Sequence, residues 1–184
     1  MSQTASDETS GIASVKYYLY YPSVDARGEF SVLSRGELES VSWTEWSDTL
    51  HLEPNQQVVV YQRIEDKASN VSYVNTSNAI LLDNVAPSTP NIAITSPSTN
   101  DIYSSSVSAS ISVEDIIEGG TYSGLSTVKV EVLNGDNVTQ AQTFNVGSAA
   151  DRARAFETGF TVDAQLNNSN YVTIRVTAVA WAGN

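Results

Sequence analysis

Residues 57 to 70 have the sequence QVVVYQRIEDKASN, and this stretch decides the fold of the chain. Successive side chains of a β-strand point to opposite faces, so Val58 and Val60 share one face while Val59 and Tyr61 share the other. The polar residues that follow are typical of a tight turn. The stretch therefore predicts a long strand that runs into a turn.

The same pattern recurs at residues 171 to 184, which have the sequence YVTIRVTAVAWAGN. At an offset of 114 positions, Val58 aligns with Val172 and Val60 with Ile174. A second pair of segments, SGIASVK at residues 10–16 and SGLSTVK at residues 123–129, aligns at an offset of 113. Two separate matches at nearly equal offsets predict tandem modules.

We place module 1 at residues 1–85 and module 2 at residues 86–184. The boundary follows from the sequence VAPSTP at residues 85–90, because its two prolines stiffen the chain and interrupt strand pairing. Each module lacks strands that the other has. Module 2 opens with residues 91–115, which have no counterpart before Asp7, and module 1 closes with residues 71–82, which have no counterpart after Asn184. We interpret the chain as a piece of a longer array; alternatively, the two ends complete one another as donated strands.

Short alternating segments separated by turn signals, such as Asn134-Gly135, predict the fold class. The expectation is an all-β protein of two tandem Ig-like antiparallel β-sandwich modules. The only segment of helical character is residues 149–156, and residues 22–36 are expected to form a polar excursion.

The composition excludes several classes of partner. With a formal net charge of −12, the 184-residue chain lacks the basic surface that nucleic acids and anionic membranes attract. It contains no cysteine, so it has neither disulfides nor thiolate metal sites. No apolar run approaches the ~20 residues of a membrane span, so we expect no membrane insertion. Residues 1–4 do not resemble a signal peptide, and we expect targeting and anchoring segments to lie outside these 184 residues.

The chain resembles the bacterial Ig-like (Big-type) tandem repeats of cell-surface and secreted proteins. The resemblance rests on Ser-Gly-Ile or Ser-Gly-Leu before an alternating strand, on the turn Asp66-Lys67-Ala68-Ser69-Asn70, and on Asp83-Asn84-Val85-Ala86-Pro87. It departs from that pattern at Ser69, where the repeats have glycine, and at Ala180, where they have aspartate. The resemblance implies an extracellular, non-catalytic spacer or stalk whose partners are neighbouring Ig-like modules. Its alternative is an adhesin module that binds a glycan or a host protein.

Catalysis has little support in the sequence. His51 is the only histidine, and it lies between Leu50 and Leu52 in a strand-like segment. A Ser-His-Asp arrangement requires partners that the sequence does not place beside it. The acidic residues do not recur as a pair in both modules, as a glycosidase dyad would require. We therefore expect no enzyme and no organic cofactor.

Calcium is the candidate metal. Hard cations bind carboxylate and carbonyl oxygens supplied by loops. Ig-like strand pairing would bring Asp7, Glu8, Asp66 and Asn70 to one pole of module 1, and Asp115 is their candidate equivalent in module 2. The alternative is that these side chains only shape turns by accepting backbone hydrogen bonds.

Aromatic residues are concentrated in module 1 and form a candidate ligand surface. Trp43 aligns with Glu157 at the offset of 114, so we expect it to be exposed. Tyr18 and Tyr20 share the outward face of their strand. Exposed aromatic rings stack on sugar rings or on a neighbouring protein. The alternative is that these rings only reflect the strand propensity of aromatic residues.

Overall fold

The structure, a computed structural model, describes residues 6–22, 30–96, 98, 106–163 and 171–184. The chain divides into two compact units, Met1–Leu82 (unit 1) and Asp83–Asn184 (unit 2). This division falls close to the predicted boundary after residue 85. Over the described residues the chain is nearly all β, in antiparallel sheets, which confirms the predicted fold class. The number of Ig-like modules stays a prediction.

The described residues of unit 1 form one sheet and one short helix. Its elements are β1 (Ile12–Tyr20), α1 (Arg35–Ser40), β2 (Thr44–Glu45), β3 (Gln57–Asp66), β4 (Val71–Asn75) and β5 (Ile80–Leu81). The sheet has the order β2-β1-β3-β4, and β5 pairs with the beginning of β3. The long strand predicted from residues 57–70 is therefore a central strand, which pairs with β1 on one side and with β4 on the other.

Helix α1 covers one face of this sheet. Leu38 of the helix is buried against Val59 and Tyr61 of β3. The helix begins at a capping box, in which the Glu37 amide donates to Ser34 Oγ at 3.4 Å and the Ser34 amide donates to Glu37 Oε2 at 2.7 Å. The expectation that residues 149–156 were the only helical segment was wrong: residues 149–151 form a turn, and a strand begins at Ala155.

Unit 2 is a sandwich of two three-stranded sheets. Its strands are β6 (Asn91–Ile94), β7 (Val107–Glu114), β8 (Leu125–Asn134), β9 (Asn137–Asn145), β10 (Ala155–Val162) and β11 (Thr173–Ala180). One sheet has the order β10-β7-β6 and the other β11-β8-β9. Ile111 and Phe160 of the first sheet pack against Val130 and Val132 of the second, and all four are buried. This core joins the two sheets face to face.

The repeat seen in the sequence has the same register in both units. In unit 1, Val60 of β3 lies opposite Leu19 of β1. In unit 2, Ile174 of β11 lies opposite Val132 of β8, which is the pair expected from the offsets of 114 and 113. Each pairing also has an irregularity at the same place, between Ile12 and Ser14 in unit 1 and opposite Val179–Ala180 in unit 2.

The turn after the repeated strand is also shared. The Asp66 amide donates to the Asn70 carbonyl at 3.1 Å, and the Ala180 amide donates to the Asn184 carbonyl at 3.0 Å. The backbone enters the left-handed region one residue before each asparagine. Because these contacts use the main chain, they survive the change from Asp66 to Ala180.

The glycine that precedes β8 is fixed by close packing. Gly124 has φ +87°, and its carbonyl accepts from the Trp181 amide at 2.8 Å. A Cβ atom at this position would lie 2.6 Å from Arg152 Cα, which is closer than atoms can approach without displacement of the backbone. Gly11 is the equivalent residue of unit 1. A Cβ atom added there would lie 3.6 Å from its nearest neighbour, the end of the flexible Lys67 side chain.

No helix within the described ranges is long and apolar enough to cross a membrane.

We predict that Gly124→Ala destabilises unit 2 far more than Gly120→Ala. Both glycines have a φ near +85°, at which alanine costs about 1–2 kcal/mol. A Cβ at Gly120 meets no atom within 4 Å, whereas one at Gly124 overlaps the Arg152 backbone and adds roughly 1–3 kcal/mol. Urea unfolding followed by circular dichroism measures the difference. Equal losses in the two variants would show that the close approach to Arg152 does not constrain the turn.

Candidate functional site

The carboxylate of Asp7 organises the approach to β1 in unit 1. Asp7 Oδ1 accepts from the Thr9 amide at 2.8 Å and from the Ser10 amide at 3.2 Å, and Oδ2 accepts from Ser10 Oγ at 2.6 Å. Hydrogen bonds to the ionised form, that from the Ser10 side chain above all, lower the pKa of Asp7 to about 2. Asp7 is therefore a carboxylate at neutral pH whose bonds shape a turn.

Asp66 has a similar role in the turn after β3. Its Oδ1 accepts from the Asn70 amide at 2.8 Å, and its Oδ2 accepts from Asn70 Nδ2 at 2.7 Å. The bond from the Asn70 side chain is the main cause that lowers the pKa of Asp66. Ser10 Oγ also lies 3.0 Å from Asp66 Oδ2. A hydroxyl has a single hydrogen, so Ser10 donates to Asp7 or to Asp66 at any moment.

The structure brings four of the five predicted calcium ligands together. Asp7, Glu8, Asp66 and Asn70 line one open groove of about 430 Å³ at the end of the unit 1 sheet, which we call the first pole. These four residues therefore lie at one pole, and their binding of calcium stays a prediction. The hydrogen bonds of Asp7 and Asp66 equally fit the alternative in which they shape the turns.

The fifth predicted ligand, Asp115, lies in unit 2 at what we call the second pole, formed by Asp83, Asp115, Ser123, Gly124 and Asn184. Asp115 Oδ2 accepts from the Gly124 amide at 2.6 Å, and Asp83 Oδ2 accepts from the Ser123 amide at 2.8 Å. Two carboxylates thus bind two adjacent amides of one turn. Asp115 thus contacts the Ser-Gly segment before the repeated strand, as Asp7 does in unit 1.

Burial distinguishes the second pole from the first. Asp115 is only 1% exposed, and within the described part of the chain its Oδ1 has no hydrogen-bond partner. The buried Oδ1 of Asn184 also lacks one there. Burial, with a smaller contribution from the charge of Asp83, raises the pKa of Asp115. A buried carboxylate oxygen without a donor is costly, and a cation would offset that cost.

Asp83 and Asn184 are the residues of this pole that sequence analysis did not assign to a site. Asp83 Oδ1 accepts from the Val85 amide at 3.0 Å, while Asn184 Nδ2 donates to the Asp83 carbonyl at 3.3 Å. Both residues belong to motifs that carry the family resemblance. Their meeting joins positions 101 residues apart, which local sequence patterns do not reveal.

The ligand set of the second pole suits a hard cation in kind. The pole offers Asp115 Oδ1, Asn184 Oδ1 and the Asp83 carboxylate as oxygen ligands, the type that calcium prefers. Across the described ranges, no group of three or more His, Cys, Asp or Glu side chains is placed to hold a metal. A calcium ion at this pole would therefore rely on amide and backbone carbonyl oxygens as well as the two carboxylates.

The aromatic candidates lie together but not on an open surface. Trp43 is half-buried, donates from Nε1 to the Leu38 carbonyl at 3.0 Å, and stacks on Tyr73 with ring centroids 5.6 Å apart. Tyr18 contacts Trp43 edge to face at 6.2 Å, and Tyr20 contacts Tyr61 in the same way at 6.3 Å. These rings pack around the buried cluster under α1.

This placement corrects two expectations about orientation. Trp43 was expected to be exposed, and Tyr18 and Tyr20 were expected to face outward. Both expectations assumed that this face of the unit 1 sheet is open to solvent. Helix α1 covers it, so the rings are half-buried side chains of an aromatic cluster. Whether they bind a ligand stays a prediction.

Comparison with known proteins identifies no relative from which a function could be inferred. The chain matches no family model, no curated protein and no solved structure. The turn geometry shared by the two units and the buried carboxylates of the second pole are therefore the observations on which a function is proposed.

We predict that calcium stabilises unit 2 through the second pole. At a free calcium concentration one hundredfold above Kd, a single site would add about 2.7 kcal/mol to the free energy of unfolding. Asp115→Asn should remove this gain, because the neutral amide weakens the attraction for a cation. Thermal unfolding with calcium and with chelator measures it, and Asp7→Asn is the matched control at the first pole. An unchanged midpoint in the original chain would refute the site; loss of the gain in Asp7→Asn alone would move it to the first pole.

The pKa shifts predict opposite pH dependences for the two poles in calcium-free buffer. Because the pKa of Asp115 is raised in the folded state, the folded chain holds a proton on Asp115 at pH values where the unfolded chain has lost it. The stability therefore falls as the pH rises from 3.8 through the pKa of the folded state. Asp7, lowered to about 2, contributes stability that is lost as pH falls from 3.8 towards 2.

Urea unfolding across this pH range, with Asp115→Asn and Asp7→Asn, separates the two effects. Asp115→Asn should abolish the decline on the upper side of pH 3.8, and Asp7→Asn should reduce the decline on the acid side. Curves parallel to that of the original chain in both variants would contradict these assignments.

Proposed function

We propose that the chain is a pair of tandem Ig-like modules that acts as a non-catalytic spacer in a bacterial cell-surface or secreted protein. The observation that carries this proposal is the backbone geometry shared by the two units. Each has the same register between its repeated strands, the same irregularity and the same turn hydrogen bonds. Repetition of one supersecondary unit along a chain is the pattern of modular arrays.

The roles of the motif residues support the family assignment. In the resemblance, the Asp-x-x-Ala-Pro segment marks a module boundary. Here its aspartate, Asp83, binds the Ser123 amide, and Ser123 begins the other family motif, Ser-Gly-Leu. The motif residues therefore contact one another within unit 2, as expected if they are elements of one module. The extracellular location and the neighbouring modules as partners follow from the same resemblance.

The charge of the chain fits a spacer. A net charge of −12 on 184 residues keeps molecules apart in solution and disfavours compaction of neighbouring modules against one another. The buried carboxylates of the second pole accept hydrogen bonds from backbone amides, so these two acids contribute to the scaffold. The alternative, an adhesive module for a glycan or host protein, would use the cluster that contains Trp43, Tyr18 and Tyr20.

A display experiment tests the spacer function. One, two or three copies of the chain are placed between a cell-wall anchor and an epitope on a bacterial surface. The height of the epitope should rise in proportion to copy number, since folded modules joined in series add their lengths. A flexible Gly/Ser linker of equal residue number is the control, because its end-to-end distance grows only as about the square root of its length.

Two outcomes would contradict the spacer function. One is a height that follows the Gly/Ser control. The other is adhesion of cells that display the chain without the epitope to a glycan array or to host cells, which would favour the adhesive alternative. In that case Trp43→Phe, which keeps an aromatic ring but loses the donor to the Leu38 carbonyl, tests whether the aromatic cluster is responsible.

A further inference from the structure

We propose that the outer edge of β11 in unit 2 is a binding site for an extended peptide segment, which joins the sheet as an additional antiparallel strand. This site goes beyond the spacer function and does not depend on it. The edge consists of the backbone of Arg175–Val179 on the side remote from β8. Strand addition of this kind obtains its affinity from main-chain hydrogen bonds and its specificity from alternate side chains.

Strand β11 lies at the edge of its sheet. The order is β11-β8-β9, so within the described residues one edge of β11 pairs with β8 and no strand pairs with the other. An edge strand presents a row of amide and carbonyl groups that another strand can bind.

The equivalent strand of unit 1, β3, has a partner on the corresponding edge. β3 aligns with β11, has the same register with its inner neighbour and leads into the same turn. Its outer edge is occupied: β4 pairs with Tyr61–Glu65 in antiparallel register. At the offset of 114, those residues correspond to Arg175–Val179. In the part of the chain that the structure describes, the same edge is therefore occupied in unit 1 and unoccupied in unit 2.

Apolar side chains of β3 are more deeply buried than their equivalents in unit 2. Val58 and Val60 of β3 are 1% and 2% exposed; Val58 lies opposite Ile80 of β5, and the Thr76 amide donates to the Val60 carbonyl. Their equivalents, Val172 and Ile174, pack on the unit 2 core but are only half-buried. An added strand would bury apolar side chains that belong to the core, which favours binding.

The register in unit 1 defines the chemistry of the occupant. Val74 lies opposite Gln62 and Ser72 opposite Ile64, positions that correspond to Val176 and Ala178 in unit 2. Val74 is 47% exposed in unit 1, whereas Val176 and Ala178 pack against the core of unit 2. The segment should therefore present an apolar side chain opposite Val176 and a small one opposite Ala178.

On the outer face, the residue opposite Arg175 corresponds to Asn75. Arg175 pairs there with the buried Glu131, at 2.8 Å from Nη2 and 2.9 Å from Nε. We therefore expect an amide or hydroxyl side chain at that position, because a cation would be repelled by the guanidinium. The occupant is thus an extended polypeptide segment with the alternation of β4.

A peptide with the sequence of residues 71–82 is the probe for the full chain. It should bind saturably, one per chain, and slow hydrogen exchange of the Arg175–Val179 amides by at least about tenfold. A scrambled peptide of the same composition is the control and should do neither. The edge of β9 in the same sheet is the internal control and should be unaffected.

A second measurement joins the same segment directly after Asn184, as it follows Asn70 in unit 1. This extension should raise the unfolding midpoint of unit 2 by at least about 4 °C, whereas the scrambled extension should not. Three results would overturn the proposal: no slowing of exchange at β11 with either probe, equal effects of the matched and scrambled sequences, or dimers in which Arg175–Val179 is protected without any peptide. The last would show that a second copy occupies the edge.

Discussion

Two buried carboxylates binding two adjacent amides are the interaction on which unit 2 depends. Asp83 and Asp115 reach the turn Ser123-Gly124 from 40 and 9 residues away, and so fix the start of the unit and the end of β7 to the start of β8. The left-handed backbone at Gly124 then admits the Arg152 backbone to close contact, which places the approach to β10 at the same pole. Charge-assisted hydrogen bonds to the backbone offset part of the cost of burying these acids. The same strands whose ends meet at this pole supply the core of the sandwich.

Unit 1 keeps the same backbone geometry with different side-chain chemistry. Its Ser-Gly segment and its turn are held by Asp7 and Asp66, which hydrogen-bond to nearby amides and share the Ser10 hydroxyl. Unit 2 has Ala180 in place of Asp66, and the turn is unchanged because its bonds are between main-chain groups. The constraint maintained in both units is thus the path of the backbone. The side chains at the poles vary within it: both oxygens of the Asp7 carboxylate accept hydrogen bonds, whereas among the described residues Asp115 Oδ1 has no donor.

The period-2 alternation of residues 57–64 and the repeat at offsets of 113 and 114 were sufficient to predict the long strands and their repetition, and the structure adds that the repeated strands pair in the same register. The helix was missed because residues 22–36 were expected to form a polar excursion, and a helix of six residues is too short to show an apolar periodicity. The capping box of Ser34 and Glu37 was a local signal for it. The orientation of Trp43 was predicted incorrectly because its alignment with Glu157 of β10 assumed equal surroundings, whereas only unit 1 covers this face with a helix. The second pole was identified only in part. Asp115 was assigned, but Asp83 and Asn184 meet it through contacts over tens of residues, which no local spacing encodes.

The contact between Asn184 and Asp83 has a consequence for the direction of the chain. The described residues of unit 2 make six antiparallel passes, an even number, and residue 184 returns to the pole at which residue 83 entered. A chain with an even number of passes doubles back on its origin. One more pass, along the outer edge of β11, makes the number odd and delivers the chain to the opposite pole. The parity of the strand passes thus decides at which pole the chain leaves a unit of this kind.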